Sequence, residues 1–106
     1  MTKEINYNKL IRDKIPQLIE AAGKKYELHK ADDKEYLQSL LAKVKEELQE
    51  FEEQPSLEEM ADIFEVLTAL IDYFGFDEEK IREYQEKKRK ERGAFKKRLI
   101  LDKVIE

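Results

Sequence analysis

Four acidic residues form two equally spaced pairs on either side of a short turn. Glu47 and Glu50 precede the turn, and Glu59 and Asp62 follow it. The i,i+3 spacing places both members of each pair on one face of a helix. If the two helices fold back antiparallel at residues 54–56, Glu50 faces Glu59 and Glu47 faces Asp62. Four converging carboxylates repel one another unless a cation joins them, and a hard divalent ion suits them best, Mg²⁺ with Mn²⁺ as a substitute.

The angular positions of these acids, at about 100° per residue, separate inner carboxylates from outer ones. Glu47 borders the apolar stripe of its helix and Glu50 lies further round the same flank, whereas Glu46 points to nearly the opposite side. Asp62 shares an apolar row with Val66, in a position that is core by register. A carboxylate in an apolar row is costly unless it is paired or metal-bound. The register therefore favours a metal site.

Each half of the pattern also has an ordinary explanation. A glutamate-rich run such as residues 46–50 is usually a solvated helix face. Acids in the first turn of a helix, such as Glu59 and Asp62, commonly complement the helix dipole. These explanations do not account for the mirrored placement around one turn or for the core register of Asp62.

The spacing of apolar residues predicts four helices that would position these side chains. Their expected ranges are about Lys14 to Ala22, about Asp33 to Glu53, Leu57 to Gly75, and Asp77 to near Gly93. The run from Ser56 to Glu59 is a capping box, which starts the third helix at Leu57. The other expected N-caps and the glycine stops are Asp13, Asp77, Gly23, Gly75 and Gly93.

These elements predict an all-α fold, a four-helix bundle in a single domain over residues 1–106. Residues 26–30 alternate weakly and would pair with residues 95–101 in a possible short two-stranded ribbon. The third helix has a broad apolar face, which we assign to the core. Its second apolar stripe, through Val66, Ala69 and Tyr73, would then be poorly covered. That exposure predicts a homodimer or homotetramer.

Composition excludes several kinds of chemistry. The 106 residues are 43% charged and 41% hydrophobic, with three glycines and two prolines, which favours one compact helical domain. The absence of cysteine excludes disulfides, thiolate nucleophiles and zinc–thiolate sites. A single histidine, His29, argues against a histidine-based metal site or catalytic triad. No signal-peptide core and no bilayer-length apolar stretch is present, so we expect a cytoplasmic protein without a membrane partner.

The charge is unevenly distributed along the chain. Residues 31–80 carry sixteen acids and four bases, whereas residues 87–98 carry eight bases and one acid. An acidic middle between basic ends would bind a metal ion and a polyanion together, or would only be an uneven surface charge. The three glycines are scattered, so no glycine-rich phosphate loop exists. Candidate phosphate contacts are therefore the basic side chains Arg12, Lys14, Lys43, Lys87, Lys90, Arg92 and Lys97.

The acidic motif resembles that of a known enzyme group. Glu46-Glu47-x-x-Glu50 followed by Glu59-x-x-Asp62 looks like the signature of the all-α nucleoside triphosphate pyrophosphohydrolases, which include MazG and the phosphoribosyl-ATP pyrophosphohydrolases. The gap of eight residues between the two motifs is short for that group.

Both ends of the chain extend the resemblance over nearly its whole length. Residues 7–16 (YNKLIRDKIP) and residues 92–95 (RGAF) are similar to a small MazG-like branch of predicted house-cleaning enzymes. One departure is Ala94, which stands where a second glycine is expected.

The resemblance implies a MazG-like bundle that cleaves nucleoside triphosphates between the α and β phosphates, giving a monophosphate and pyrophosphate. It implies that Glu47, Glu50, Glu59 and Asp62 are the Mg²⁺ ligands. Glu46 and Glu47 would be catalytic, with Glu46 as a free carboxylate that orients water or takes its proton. Among the basic residues it favours Arg12, Lys14 and Arg92.

Three other interpretations stay open. Within the enzyme class, the substrate would be phosphoribosyl-ATP in histidine biosynthesis. Outside it, the chain would be a non-catalytic helical module whose basic C-terminal stretch binds nucleic acid, or a structural helical dimer without a ligand. We rank all three lower and expect a nucleotide, rather than a nucleic acid, as the partner.

Overall fold

The computed structural model describes residues 3–106. Four helices make up its regular structure, and no strand occurs in that range: α1 (Ile15–Ala21), α2 (Asp33–Glu53), α3 (Leu57–Phe74) and α4 (Glu78–Arg92). The all-α prediction is confirmed. The two-stranded ribbon is wrong, because residues 26–30 and 95–101 are both irregular. An isolated pair of strands is marginally stable in water, and weak alternation adds little apolar surface to hold one together.

The chain divides into two compact units, Met1–Phe74 and Gly75–Glu106. The first unit contains α1, α2 and α3, and the second contains α4 and the irregular residues that follow it. Within residues 3–106, no helix is both long enough and apolar enough to cross a bilayer.

Side-chain caps start α3 and α4 where the sequence predicts them. Ser56 Oγ accepts a hydrogen bond from the Glu59 amide at 3.1 Å, as in a capping box. Asp77 Oδ1 accepts one from the Glu79 amide at 3.0 Å. The Ser56 cap fixes where α3 begins, and the positions of the acids on α3 follow from that start.

The shortest helix, α1, begins differently from its prediction. Its N-cap is Lys14, which makes no side-chain cap, so the expected Asp13 cap is wrong. Pro16 lies in the first turn of α1 and has no amide hydrogen, which leaves fewer donors for a cap to satisfy. The predicted stops are confirmed, since Gly23, Gly75 and Gly93 all adopt positive φ just beyond α1, α3 and α4.

Helices α2 and α3 form an antiparallel hairpin that carries the packing of the first unit. The rings of Tyr36 and Tyr73 meet edge to face with centroids 5.7 Å apart. The Tyr73 hydroxyl also donates to the Asp33 carbonyl at 3.4 Å. In an antiparallel hairpin, residue pairs whose numbers have the same sum face each other in one register. Tyr36 and Tyr73 have the same sum as Glu50 and Glu59, so one register aligns the aromatic end and the acidic end of the hairpin.

The core of the hairpin is small. Leu40 is 1% exposed, and Ile63 and Val66 are the other buried apolar residues of the described chain. The face of α3 that we assigned to the core is largely uncovered, with Leu57 92% and Phe64 65% exposed. That assignment is right for Ile63, which is buried, and wrong for these exposed side chains, because the Tyr36–Tyr73 register turns the second stripe of α3, with the buried Val66, toward α2.

Candidate metal centre

Three of the predicted ligands come together where the hairpin closes. One carboxylate oxygen each of Glu47, Glu50 and Glu59 lies within 4.8 Å of the other two. Glu47 is buried, at 6% exposure, and the other two are half-buried. Opposite ligands of one octahedral Mg²⁺ lie about 4.2 Å apart, twice the usual metal–oxygen distance. Separations of up to 4.8 Å are slightly larger than one bound Mg²⁺ allows, so the three side chains would have to close around the ion.

Two carboxylate oxygens in this group lack a hydrogen-bond donor. Oε2 of Glu47 and Oε2 of Glu59 are buried, and neither has a partner among residues 3–106. For Glu47, the more deeply buried of the two, an acceptor without a donor costs about 1–3 kcal/mol, and folded proteins rarely keep one without a reason. A cation between these oxygens would remove the cost. The donor set, all carboxylate oxygen, is the one that Mg²⁺ and Mn²⁺ prefer.

The electrostatics of the group also favour a bound cation. Burial raises the pKa of Glu47, and the neighbouring charge of Glu50 raises it further. Burial also raises the pKa of Glu59, followed by the charges of Glu50 and Asp62. A divalent cation among these carboxylates would oppose every one of these effects, because it favours the ionised form.

The fourth predicted ligand, Asp62, is held by a side chain from the N-terminal segment. Arg12 Nη2 donates to Asp62 Oδ1 at 2.7 Å, across fifty residues of chain. Asp62 is still near enough that its charge raises the pKa of both Glu47 and Glu59. The structure thus places Asp62 beside the three gathered carboxylates and gives it a guanidinium as its partner.

Glu46 lies between two lysines outside the gathered group. Lys9 Nζ is 2.8 Å from its Oε1, and Lys43 Nζ is 3.2 Å from its Oε2. The hydrogen bond from Lys9 is the main cause that lowers the pKa of Glu46. Glu46 is therefore not the free carboxylate that its expected role requires, since an ion-paired acid with a lowered pKa is a weak base.

The predicted phosphate contacts divide between the two units. Arg12 reaches Asp62, and Lys43 Nζ also lies 3.6 Å from Glu47 Oε1, so both are at the carboxylates. Lys14 opens α1 in the same unit and is exposed. The remaining candidates belong to the second unit, described by itself, where Lys90 forms an ion pair with Glu86 at 3.6 Å. These residues are Lys87, Lys90, Arg92 and Lys97.

Sequence reasoning missed Lys9. It lies three residues before Arg12 in the N-terminal motif, and the two together contact both helices of the hairpin. The i,i+3 spacing of these two cations was the available signal. It has little force by itself, because residues 9–12 are not helical.

Comparisons of the chain with protein-family models, with curated proteins and with solved structures find no match.

Proposed function

We propose that this chain is a Mg²⁺-dependent nucleoside triphosphate pyrophosphohydrolase with a MazG-like fold, which acts on a nucleotide pool in the cytoplasm. The observation that carries the proposal is the group of Glu47, Glu50 and Glu59, in which two buried oxygens have no donor. The motif resemblance supports the choice of reaction. The charges around the group support an anionic substrate, because cationic side chains border a site built from acids.

In this proposal Glu47, Glu50 and Glu59 hold the cation, and Asp62 completes the ligand set. When bound, Mg²⁺ would neutralise phosphate charge and lower the pKa of a coordinated water. The water oxygen bonds to the α phosphorus, the α–β bridging oxygen leaves with pyrophosphate, and a carboxylate takes the water proton. Glu46 fits that last role only if it is released from Lys9 and Lys43, which hold it as an ion pair.

Arg12 and Lys43 are the basic residues best placed to contact phosphates in the first unit. Both lie against carboxylates of the proposed site, and Arg12 is 56% exposed, so its guanidinium can also reach a ligand. A planar guanidinium binds two phosphate oxygens at once, which a lysine cannot do. Lys14 and the basic residues of the second unit stay predictions.

We also propose that the protein works as a homodimer or a homotetramer. In an antiparallel helix pair, some residues of each helix face the partner helix. The residues directly after them in the sequence lie on the same side of the pair in both helices. On this hairpin those positions hold exposed apolar side chains, Leu41, Leu48, Phe64 and Leu67, which by this geometry lie on one side of the hairpin. Two copies of that face related by a two-fold axis would cover each other.

The reaction is tested by incubating the protein with Mg²⁺ and a panel of normal and modified nucleoside triphosphates, with phosphoribosyl-ATP included. We expect pyrophosphate release with at least one compound, lost in Glu50→Gln and kept in Glu65→Gln, an exposed acid on α3. Release from phosphoribosyl-ATP alone would favour the biosynthetic alternative. No release from any compound would overturn the proposal.

The nucleic-acid alternative makes a different prediction about the same variants. Binding through the basic second unit would weaken with salt and would survive Glu47→Gln and Asp62→Asn. Electrophoretic mobility shifts with single- and double-stranded oligonucleotides measure it. Our proposal expects no such shift at physiological salt.

A further inference from the structure

The N-terminal segment, residues 7–14, contacts both helices of the hairpin through charged side chains. Lys9 Nζ lies 2.8 Å from Glu46 on α2, and Arg12 Nη2 lies 2.7 Å from Asp62 on α3. These contacts join positions 37 and 50 residues apart, so they fix where the segment lies on the hairpin. Residues 7–11 form no regular secondary structure, whereas the carbonyls of Arg12 and Lys14 accept backbone hydrogen bonds at the start of α1.

The two contacts differ in what they do to the proposed site. Lys9 pairs with Glu46, which lies outside the gathered carboxylates, so a cation bound among them would leave this pair intact. Arg12 pairs with Asp62, the predicted ligand that the gathered group lacks. The guanidinium places one positive charge on Oδ1 of Asp62, where a metal ion would place two.

We propose that residues 7–14 are a cationic clamp in which Arg12 competes with a divalent cation for Asp62, while Lys9 keeps the segment anchored on Glu46. This inference rests on the proposed metal site, but not on hydrolysis. A cation that recruits Asp62 displaces the guanidinium, and the freed guanidinium is then next to the metal. An anionic ligand that arrives with the metal, such as a phosphate group, would become its new partner.

The contacts support an exchange rather than a fixed bond. The Arg12 side chain is 56% exposed and the Asp62 side chain 32%, so water can replace either partner without a large desolvation cost. The Lys9 contact is more secure, because Glu46 is less exposed and is also held by Lys43 at 3.2 Å. One end of the segment can therefore move while the other stays in place.

Thermodynamic linkage makes the clamp measurable in both directions. If the cation and Arg12 compete for Asp62, removing Arg12 must tighten cation binding, and the cation must loosen the segment. The gain in affinity is limited to what a partly exposed ion pair contributes, up to about fivefold.

Isothermal titration with Mn²⁺ or Mg²⁺ tests the first direction on Arg12→Gln, Lys9→Gln and Arg82→Gln. Lys9→Gln removes the same charge from the same segment, and Arg82 is an exposed arginine on α4 paired with Glu78. We expect cation binding about two- to fivefold tighter in Arg12→Gln, a smaller gain in Lys9→Gln and none in Arg82→Gln. Equal gains in Arg12→Gln and Lys9→Gln would reduce the effect to net charge and overturn the clamp, as would weaker binding in Arg12→Gln.

Backbone ¹⁵N relaxation of residues 7–14, measured by nuclear magnetic resonance, tests the second direction. We expect larger fast motion when Mg²⁺ is added to the wild-type protein, and equally large motion in cation-free Asp62→Asn. Motion in the wild type that Mg²⁺ does not change, at a concentration that saturates the titration, would overturn the clamp.

The two proposals fail separately. Tighter cation binding in Arg12→Gln without pyrophosphate release from any nucleotide leaves the clamp and removes the enzyme. Pyrophosphate release, together with equal cation affinities of Arg12→Gln and Lys9→Gln, leaves the enzyme and removes the clamp.

Discussion

Glu47 and Glu59, on consecutive helices, each bury one carboxylate oxygen that accepts no hydrogen bond from any residue between 3 and 106. The two oxygens belong to one group of acids, together with Glu50. Repulsion inside this group opposes folding, because the charged forms of buried acids need a donor or a cation. A protein that keeps such a group gains something from it, and metal binding is the gain that its geometry supports.

The first prediction concerns stability without divalent cations. Glu47→Gln should stabilise the cation-free protein by about 1 kcal/mol, at the lower end of the cost of an unsatisfied buried polar group. The amide removes a repelling charge and can donate to Glu50. Urea unfolding at pH 7.5 in chelator measures the change, with Glu65→Gln as the exposed control.

Added Mg²⁺ should reverse that order. It should raise the unfolding midpoint of the wild-type protein and leave that of Glu47→Gln nearly unchanged. Equal gains in the two proteins would place the bound cation elsewhere.

The second prediction follows from the direction of the pKa shifts. The pKa values of Glu47 and Glu59 are raised above their ordinary value of 4.5, so their contribution to stability is complete below that pH. It is lost as the pH rises through the raised values. Glu46, whose pKa is lowered, contributes above its ordinary value and loses that contribution as the pH falls.

Unfolding free energies of cation-free wild-type protein and Glu47→Gln, measured from pH 4 to pH 8, separate these effects. We expect the wild type to lose stability relative to Glu47→Gln as the pH rises above about 4.5. A wild type that gains stability relative to the variant over this range would show that Glu47 has a charged partner that we have missed.

The third prediction separates the inner acids from Glu46. Glu50→Gln should weaken Mn²⁺ binding by about tenfold or more, since changes even to the residues that support metal ligands cost that much. Glu46→Gln should change the affinity much less, because Glu46 is bound by Lys9 and Lys43. Titration calorimetry compares the two variants, which lie four residues apart on one helix. A larger effect of Glu46→Gln would make it a ligand.

The fourth prediction tests which face of the hairpin is buried. Leu40→Ala should cost about 2–5 kcal/mol of unfolding free energy, because Leu40 is fully buried between α2 and α3. Leu41→Ala makes the same chemical change at the next position, which is 48% exposed, and should cost far less. Unfolding of dilute protein measures both, and similar costs would mean that the hairpin packs in another register.

The fifth prediction tests the proposed homodimer. Phe64→Lys places a charge on the exposed apolar face and should shift the mass measured by light scattering to that of one chain, 12.7 kDa. Helix content should stay the same, because Phe64 is outside the hairpin core. Glu65→Lys, at the exposed next position on α3 and about 100° round the helix, is the control. A wild-type protein with the mass of one chain would rule out the dimer.

The fold could be predicted from the sequence wherever the signal was local. Ser56, Asp77 and Gly75 act within a few residues of themselves, and the boundaries that they mark are confirmed. The buried side of α3 was predicted only in part, because α3 has two apolar stripes about one residue apart and each supplies one buried residue, Ile63 and Val66. Only the contact between Tyr36 and Tyr73 shows which stripe turns toward α2.

The same difference, between local signals and contacts distant in the sequence, explains which residues of the candidate site were missed. The acids of the hairpin have equal spacing around one turn, so their approach could be predicted from helix geometry alone. The partners of Asp62 and Glu46 come from residues 9–12, far away in the chain and outside any helix. No periodic pattern marks such contacts, and only the folded chain reveals them.

Electron paramagnetic resonance of free Mn²⁺ measures cation binding to the gathered carboxylates, in wild-type protein and Glu50→Gln under the same conditions. We expect saturable binding to the wild type, displaced by Mg²⁺ and weakened by about tenfold or more in Glu50→Gln. Saturable binding that is the same in both proteins, or none in the wild type at millimolar Mn²⁺, would contradict the proposed metal site.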